Sequence, residues 1–232
     1  MKKIAIVAAY RSAIGSFGGS LKDIKLADLG AQVLTYALEK STISPNLVEE
    51  VIIGNVLGAG QGQNVARQIA LGAGLPETTS AFVVNKVCGS GLKAVQLAAQ
   101  SILAGDQDVV VAGGIEIMSQ APYLSKDSRF GKKLGGISLE DSLLTDGLTD
   151  AFSGEHMGIT AENVAEKYQL TRQEQDAFAL ASQEKALKAI AEGRFSDEIV
   201  PLTVTVGRKE VLFDQDEPPH QTNSAQLATL RA

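Results

Sequence analysis

Short β-branched runs alternate with longer helical patterns over the first half of the chain. Runs typical of strands lie at residues 4–9, 50–56, 81–85 and 108–112. Helical spacing of apolar residues lies between them, at residues 26–40, 64–72 and 89–103. Because a helix-length segment separates each strand from the next, the strands need crossover connections, and their sheet is covered on both faces. The sequence therefore predicts an α/β fold.

The helical segment at residues 89–103 is apolar around most of its circumference. A surface helix carries its apolar residues in one stripe, whereas a helix that is apolar all round is buried. We therefore expect a central helix buried between layers. The apolar residues of this segment are Leu92, Ala94, Val95, Leu97, Ala98, Ala99, Ile102 and Leu103.

The second half of the chain differs in composition and in hydrophobic pattern. Residues 119–154 are rich in glycine and serine and read as loops, and helical patterns follow at 159–168 and 172–192. Thr171 and Glu174 have the spacing of a capping box, and Gly193 is a helix stop signal. We therefore predict two domains, residues 1–118 as a core and residues 119–232 as a loop or lid domain.

The last segments predict a β-hairpin and an unfinished helix. Strand-like runs at 200–206 and 211–213 flank a polar turn. An apolar periodicity at Leu227, Ala228 and Leu230 has helical spacing where the sequence stops. We therefore expect the chain to be truncated relative to a complete fold.

Composition excludes several classes of function. The net charge is −6, which gives no general attraction for nucleic acid or anionic membranes, and no apolar run is long enough to cross a bilayer. One cysteine makes no intrachain disulfide and no cysteine-based zinc site, so we expect a cytoplasmic protein without a metal. Neither a dinucleotide fingerprint nor a phosphate-binding loop motif is present.

The single cysteine, Cys88, lies between a predicted strand and a predicted helix. Gly89, Ser90 and Gly91 follow it, and such small residues let the backbone turn sharply and a ligand approach closely. A helix start favours negative charge, so we expect a lowered pKa for the thiol there. The alternative is a small buried hydrophobic side chain, which is common for isolated cysteines. The flanking residues favour a nucleophile.

The segment Asn85-Lys86-Val87-Cys88-Gly89-Ser90-Gly91 resembles the nucleophile motif of thiolases. Further stretches follow in thiolase order over essentially the whole chain, so the sequence is identified as similar to the N-terminal part of that family. The implied fold is a layered α-β-α core half, with a mixed sheet and a buried central helix, plus an inserted α+β loop domain. The other matching stretches are residues 11–19, 54–57, 62–68, 113–119, 146–150 and 156–158.

The resemblance implies acetyl-CoA C-acetyltransferase activity. Cys88 attacks an acyl-CoA thioester, and the acyl-enzyme then condenses with acetyl-CoA to give acetoacetyl-CoA, or the reverse thiolysis occurs. Leu148, His156 and Met157 match the part of the family's loop domain that covers the pantetheine arm and the acyl pocket. Coenzyme A and acetyl-CoA are implied as substrates, with no permanently bound cofactor.

The family's remaining catalytic groups have no counterpart in these residues. Thiolases use a histidine, an asparagine and a second cysteine from their second half, whereas this chain has one cysteine and two histidines, neither in a Gly-His-Pro context. We therefore expect the chain alone to be inactive in condensation, and to form homo-oligomers or pair with a thiolase C-terminal half. The alternatives are a non-catalytic remnant or interaction subunit and a related condensing enzyme such as a ketoacyl synthase.

Overall fold

The computed structural model describes residues 3–231, and most of the predicted elements are present. The helices are α1 (Leu26–Ser41), α2 (Val65–Gly72), α3 (Ser90–Ala104), α4 (Met157–Tyr168), α5 (Arg172–Ala191) and α6 (Ser224–Leu227), with 3₁₀ turns at Pro45–Leu47 and Met118–Gln120 and a π-helix at Leu143–Leu148. The strands are β1 (Arg11–Ser12), β2 (Glu50–Gly54), β3 (Ser80–Val84), β4 (Val110–Gly114), β5 (Tyr123–Leu124), β6 (Glu140–Asp141), β7 (Ile199–Val200), β8 (Leu202–Val206) and β9 (Lys209–Phe213).

The central sheet has the strand order β3-β2-β4, and all three strands are parallel. The predicted α/β class is confirmed. The expected mixed sheet is wrong for residues 3–231, because helical crossovers join β2 to β3 and β3 to β4 and so return each strand in the same direction. Antiparallel pairing is limited there to the short pair β5–β6, the hairpin β8–β9 and an isolated bridge between Thr149 and His156.

Strand β2 packs helices on both of its faces. Val51 and Ile53 face α1 and α2 in one apolar cluster, whereas Ile52 faces α3, where it packs with Ala94 and Ala98. This alternation follows from the two-residue period of a strand. The three residues are almost completely buried, so β2 is the centre of an α-β-α arrangement.

The expectation that α3 is buried all round is wrong for the chain as described. Its buried residues, Ser90, Ala94 and Ala98, form one stripe with a spacing of four. Leu92 on another face is 80% exposed, and Val95 and Leu103 are also exposed. The sheet covers only one side of the helix, and residues 3–231 place no second layer over the other.

The predicted strand at residues 4–9 is also wrong for the described residues. The segment has no assigned strand structure, and Ile6 and Val7 are exposed. A strand forms only where a neighbouring strand accepts its backbone hydrogen bonds, and none runs beside this segment in residues 3–231. Strand structure begins instead at Arg11, which pairs in parallel with Ile199 of β7.

Several predictions for the second half are confirmed. Thr171 and Glu174 form the capping box of α5, Gly193 follows that helix in a left-handed conformation, and the hairpin β8–β9 is present. The domain boundary at 118/119 stays a prediction. Strands β7 to β9 nevertheless pack in one apolar cluster with the start of the chain. Within residues 3–231 no helix has the length and apolar character needed to cross a membrane.

A charged network joins the two ends of the described chain. The Arg11 guanidinium donates two hydrogen bonds to Asp216, at 2.7 and 3.0 Å, and one of 2.6 Å to Glu198. The Ile14 N–H also donates to Asp216, at 2.8 Å. The bonds from Arg11 hold the pKa of the Asp216 carboxyl below its ordinary value, although burial opposes the shift. The network fixes the loop after β1 against the acidic segment that follows β9.

We expect Asp216 to contribute to stability only in its ionised form. Because its folded-state pKa is lowered, its contribution is complete above the ordinary aspartate pKa of about 4 and is lost as the pH falls from there through the lowered value. Asp216→Asn should lower the free energy of unfolding at neutral pH by about 1–2 kcal/mol and flatten its acid dependence, as measured by urea denaturation across pH. Asp214→Asn, an exposed matched charge change, should do neither. Equal curves for the two variants would contradict this.

Candidate active site

Cys88 lies in the short connection between β3 and α3. Strand β3 ends at Val84, α3 begins at Ser90 with Gly89 as its N-cap, and the thiol is exposed. The alternative of a buried structural cysteine is therefore excluded. The unpaired N–H groups and the dipole of a helix start favour a negative charge nearby, and an exposed thiol at this place is open to a ligand from solvent.

The connection turns through a left-handed residue that is not glycine. Val87 has φ = +48°, a conformation that is unfavourable for a β-branched side chain. The Asn85 side-chain oxygen accepts a hydrogen bond from the Val87 N–H at 2.9 Å, and the Gly89 N–H donates to the Lys86 carbonyl at 3.1 Å. These bonds hold a tight turn over residues 86–89, which contains Cys88.

Glycines let the start of α3 lie directly on the ends of β2 and β4. A Cβ added at Gly54 would lie 2.5 Å from the Ser90 carbonyl carbon and 2.6 Å from the Gly91 nitrogen. A Cβ added at Gly114 would lie 3.2 Å from the Gly91 Cα. Any larger residue at Gly54 would push the backbone of α3 away, so this glycine sets the position of Cys88.

Polar residues organise the same edge of the sheet. Asn55 follows β2 and is buried, and its amide donates to the Ile115 carbonyl at 3.1 Å and to the Glu116 carboxylate at 2.8 Å. Glu116 also accepts the N–H groups of Val56 and Leu57, at 2.9 and 3.0 Å. Neither residue of this pair was predicted from the sequence. The signal for it was a polar residue just after each of two neighbouring parallel strands.

Leu148, His156 and Met157 are brought close to one another. Leu148 ends the π-helix, and the next residue, Thr149, forms an antiparallel bridge with His156. His156 is the N-cap of α4, which begins at Met157, and its Nδ1 accepts the Gly158 N–H at 2.9 Å. In the neutral ring the proton is therefore on Nε2, which is left as a donor.

The loop segment reaches the core edge through Leu57. A Cβ added at Gly147 of the π-helix would lie 3.5 Å from Leu57 Cδ2, which is ordinary contact. Leu57 follows the end of β2, and Cys88 follows the end of the parallel strand β3. The π-helix and Cys88 therefore lie at the same edge of the sheet. The basic residues of the preceding loop are exposed, and Lys126 forms an ion pair with Glu140.

The Cys88 surface is open in the described chain. A cavity of about 300 Å³ lies between residues 12–17 and residues 114–119, and Cys88 does not line it. Within residues 3–231, no three histidine, cysteine, aspartate or glutamate side chains come close enough to hold a metal ion.

A sequence profile described as the thiolase N-terminal domain matches residues 4–232. The chain belongs to the thiolase family. Two similar proteins, both named "Probable acetyl-CoA acyltransferase", come from Staphylococcus epidermidis, at 55% identity, and Staphylococcus aureus, at 51%. Each alignment covers 100% of this chain and 59% of the relative, so this thiolase sequence spans well under two thirds of their length.

A solved thiolase has the same fold. The crystal structure of the Bacillus anthracis acetyl-CoA acetyltransferase matches with a TM-score of 0.93 at 42% identity, over 97% of this chain and 57% of that one. The resemblance to thiolases and the α-β-α layering of the implied fold are therefore confirmed, whereas the mixed sheet and the fully buried helix are not found in residues 3–231. The roles of Cys88, Leu148, His156 and Met157 stay predictions.

We expect Gly54→Ala to disturb this site more than an ordinary glycine substitution. Because the new methyl group would meet backbone atoms of α3, the helix start must shift, which costs about 1–3 kcal/mol and moves Cys88. Urea denaturation and the rate of Cys88 alkylation measure the two effects. Gly113→Ala on β4 is the matched control, since its Cβ would make ordinary contact with Ile53 at 3.6 Å. The idea is wrong if both variants behave alike.

Proposed function

We propose that this chain carries the acyl-accepting half of a thiolase reaction. The Cys88 thiolate attacks the carbonyl carbon of an acyl-CoA, a new carbon–sulfur bond forms at Cys88, and the bond to the coenzyme A sulfur breaks. Coenzyme A leaves as a thiolate that takes up a proton. The observation that carries this proposal is the exposed thiol at the start of α3, in a chain of the thiolase family.

The substrate is an acyl-CoA thioester, with acetyl-CoA as the short-chain case. Leu148 and Met157 offer apolar contacts to the pantetheine arm, and the Nε2 of His156, which has no partner within residues 3–231, offers a donor to its polar groups. The position of these residues on the same edge of the sheet as Cys88 supports this assignment. Coenzyme A binds here as substrate, with no permanently held cofactor.

The second half of the reaction needs groups that residues 1–232 do not contain. Condensation requires a base to remove a proton from the second acetyl-CoA and a donor for the developing oxyanion. Cys88 is already acylated at this stage, and the chain has no second cysteine that could act as the base. We therefore propose negligible formation of acetoacetyl-CoA by residues 1–232 alone, because losing one oxyanion donor already costs about 10²–10³ in turnover.

Acetyl transfer to Cys88 is the direct test. Incubation with acetyl-CoA should add the mass of one acetyl group, seen by intact-protein mass spectrometry, with release of one coenzyme A thiol. Peptide mapping should place the group on Cys88. Cys88→Ala should abolish the gain, whereas His220→Gln, at an exposed histidine outside the proposed pocket, should retain it. An unmodified wild-type protein under these conditions would refute the proposal.

A binding role without catalysis is the second candidate, and the exposed apolar face of α3 favours it. Leu92, Val95 and Leu103 on this face lie open to water, and contiguous apolar patches of this kind promote association. We propose that the face is covered in solution by a second copy of the chain or by a thiolase C-terminal half.

A cytoplasmic location is proposed as well, because a single free cysteine suits a reducing compartment.

Light scattering after size exclusion tests this association. We expect a species larger than a monomer, and Leu92→Lys should shift it towards the monomer because a charge replaces an exposed apolar side chain. Leu230→Lys, also exposed but near the end of the chain, is the matched control. Adding the C-terminal half of the Staphylococcus epidermidis relative distinguishes the two occupants. A wild-type chain that is monomeric and does not bind this C-terminal half would contradict the binding role.

A further inference from the structure

The most unusual backbone feature of the site is held by one buried hydroxyl. Ser90 is only 5% exposed, and its Oγ accepts the Lys86 N–H at 2.8 Å and donates to the Val87 carbonyl at 2.6 Å. The Ser90 N–H donates to the same carbonyl at 3.1 Å. The Val87 carbonyl therefore has two donors from Ser90, and the turn that contains Cys88 is closed across its base.

These bonds counter the strain at Val87. A valine at φ = +48° relaxes to negative φ unless the surrounding contacts over-determine its conformation. Ser90 binds the N–H of Lys86, the residue before Val87, and the carbonyl of Val87 itself, and the Asn85 side chain accepts the Val87 N–H. Without the hydroxyl, two of the hydrogen bonds that oppose relaxation are lost. Relaxation would turn the Val87–Cys88 peptide and move the thiol.

The same bonds orient the backbone N–H of Cys88. In a trans peptide the carbonyl of one residue and the N–H of the next point in opposite directions. Because Ser90 draws the Val87 carbonyl inwards, the Cys88 N–H points away from the base of the turn. It has no hydrogen-bond acceptor within the described residues. A donor of this kind beside the thiol favours an oxygen that gains negative charge there.

We infer that Ser90 is the positioning residue of this site: its hydroxyl holds Val87 in the left-handed conformation and so fixes the Cys88 thiol and N–H together. The inference rests on the proposed acyl transfer to Cys88. It differs from a general role in stability, because it assigns the effect to the local turn. Thiol alkylation needs only the sulfur, whereas thioester attack also develops charge on an oxygen. Comparing the two reactions therefore separates the position of the thiol from the position of the Cys88 N–H.

Ser90→Ala is the first test, with acetylation by acetyl-CoA and alkylation by iodoacetamide measured across neutral and alkaline pH. We expect acetylation to fall by about 10²-fold, in line with a small misplacement of reacting groups, and alkylation to fall by less. Ser90→Thr keeps a hydroxyl and should retain most of the acetylation rate. Thr79→Val is the matched control, because Thr79 is buried and its hydroxyl donates to the Val48 carbonyl at 2.8 Å away from the turn. It should leave both rates unchanged.

A second substitution tests the strain directly. Glycine adopts positive φ without the steric penalty of valine, so Val87→Gly in the Ser90→Ala background should recover much of the lost rate. If Ser90→Ala fails to fold by circular dichroism, Asn85→Ala replaces it, since it removes the acceptor of the Val87 N–H at the surface. Asn85→Asp keeps an acceptor and should behave as the wild type.

The outcomes are distinguishable. The proposed role of Ser90 would be overturned if Ser90→Ala were acetylated at the wild-type rate, or if Thr79→Val slowed acetylation equally. If the wild type itself is not acetylated, the proposed function fails, while the alkylation rates of the same variants still decide whether the hydroxyl positions the thiol. A loss in Ser90→Ala that Val87→Gly does not relieve would overturn the strain argument.

Discussion

The close contact between the start of α3 and the ends of two parallel strands is the constraint on which this structure depends. At Gly54 a single methyl group would occupy the space of the α3 backbone, and Gly114 and Gly91 approach each other almost as closely. Glycine is needed here for the absence of a side chain, since none of the three has a positive φ. The contact brings the strand ends, the helix start and the exposed thiol to one edge of the sheet, where α/β proteins commonly bind ligands.

Polar groups then connect this rigid edge to the more irregular second half. Glu116 fixes the loop after β2 through two backbone N–H groups and the Asn55 amide, and the same loop places Leu57 against the π-helix. The core thus provides Cys88, the proposed nucleophile, and the loop segment provides the side chains proposed to contact coenzyme A. Their relation is set by the Glu116 carboxylate, which binds the loop backbone, and by the contact of the Leu57 side chain with the π-helix.

The distribution of exposed apolar residues agrees with the chain's relation to its relatives. The α3 face with Leu92 and the segment with Ile6 are apolar yet open to water, while the face of α3 towards the sheet is tightly packed. The chain spans 59% of the length of the curated relatives it matches. In contrast, Arg11 and Asp216 join the first and last parts of the described chain by partly buried, charge-assisted bonds.

The sequence by itself determined the elements whose causes are local. These elements are the capping box of Thr171 and Glu174, the alternation of strands with helices, and the place of Cys88 between β3 and α3. Each depends on residues close together in the chain, so each can be predicted from the sequence. Tertiary structure alone decided that residues 4–9 are unpaired and that α3 is covered on one side, because pairing and burial need partners distant in sequence. It also decided the roles of Glu116 and Ser90, whose bonds depend on a backbone that only the folded chain creates.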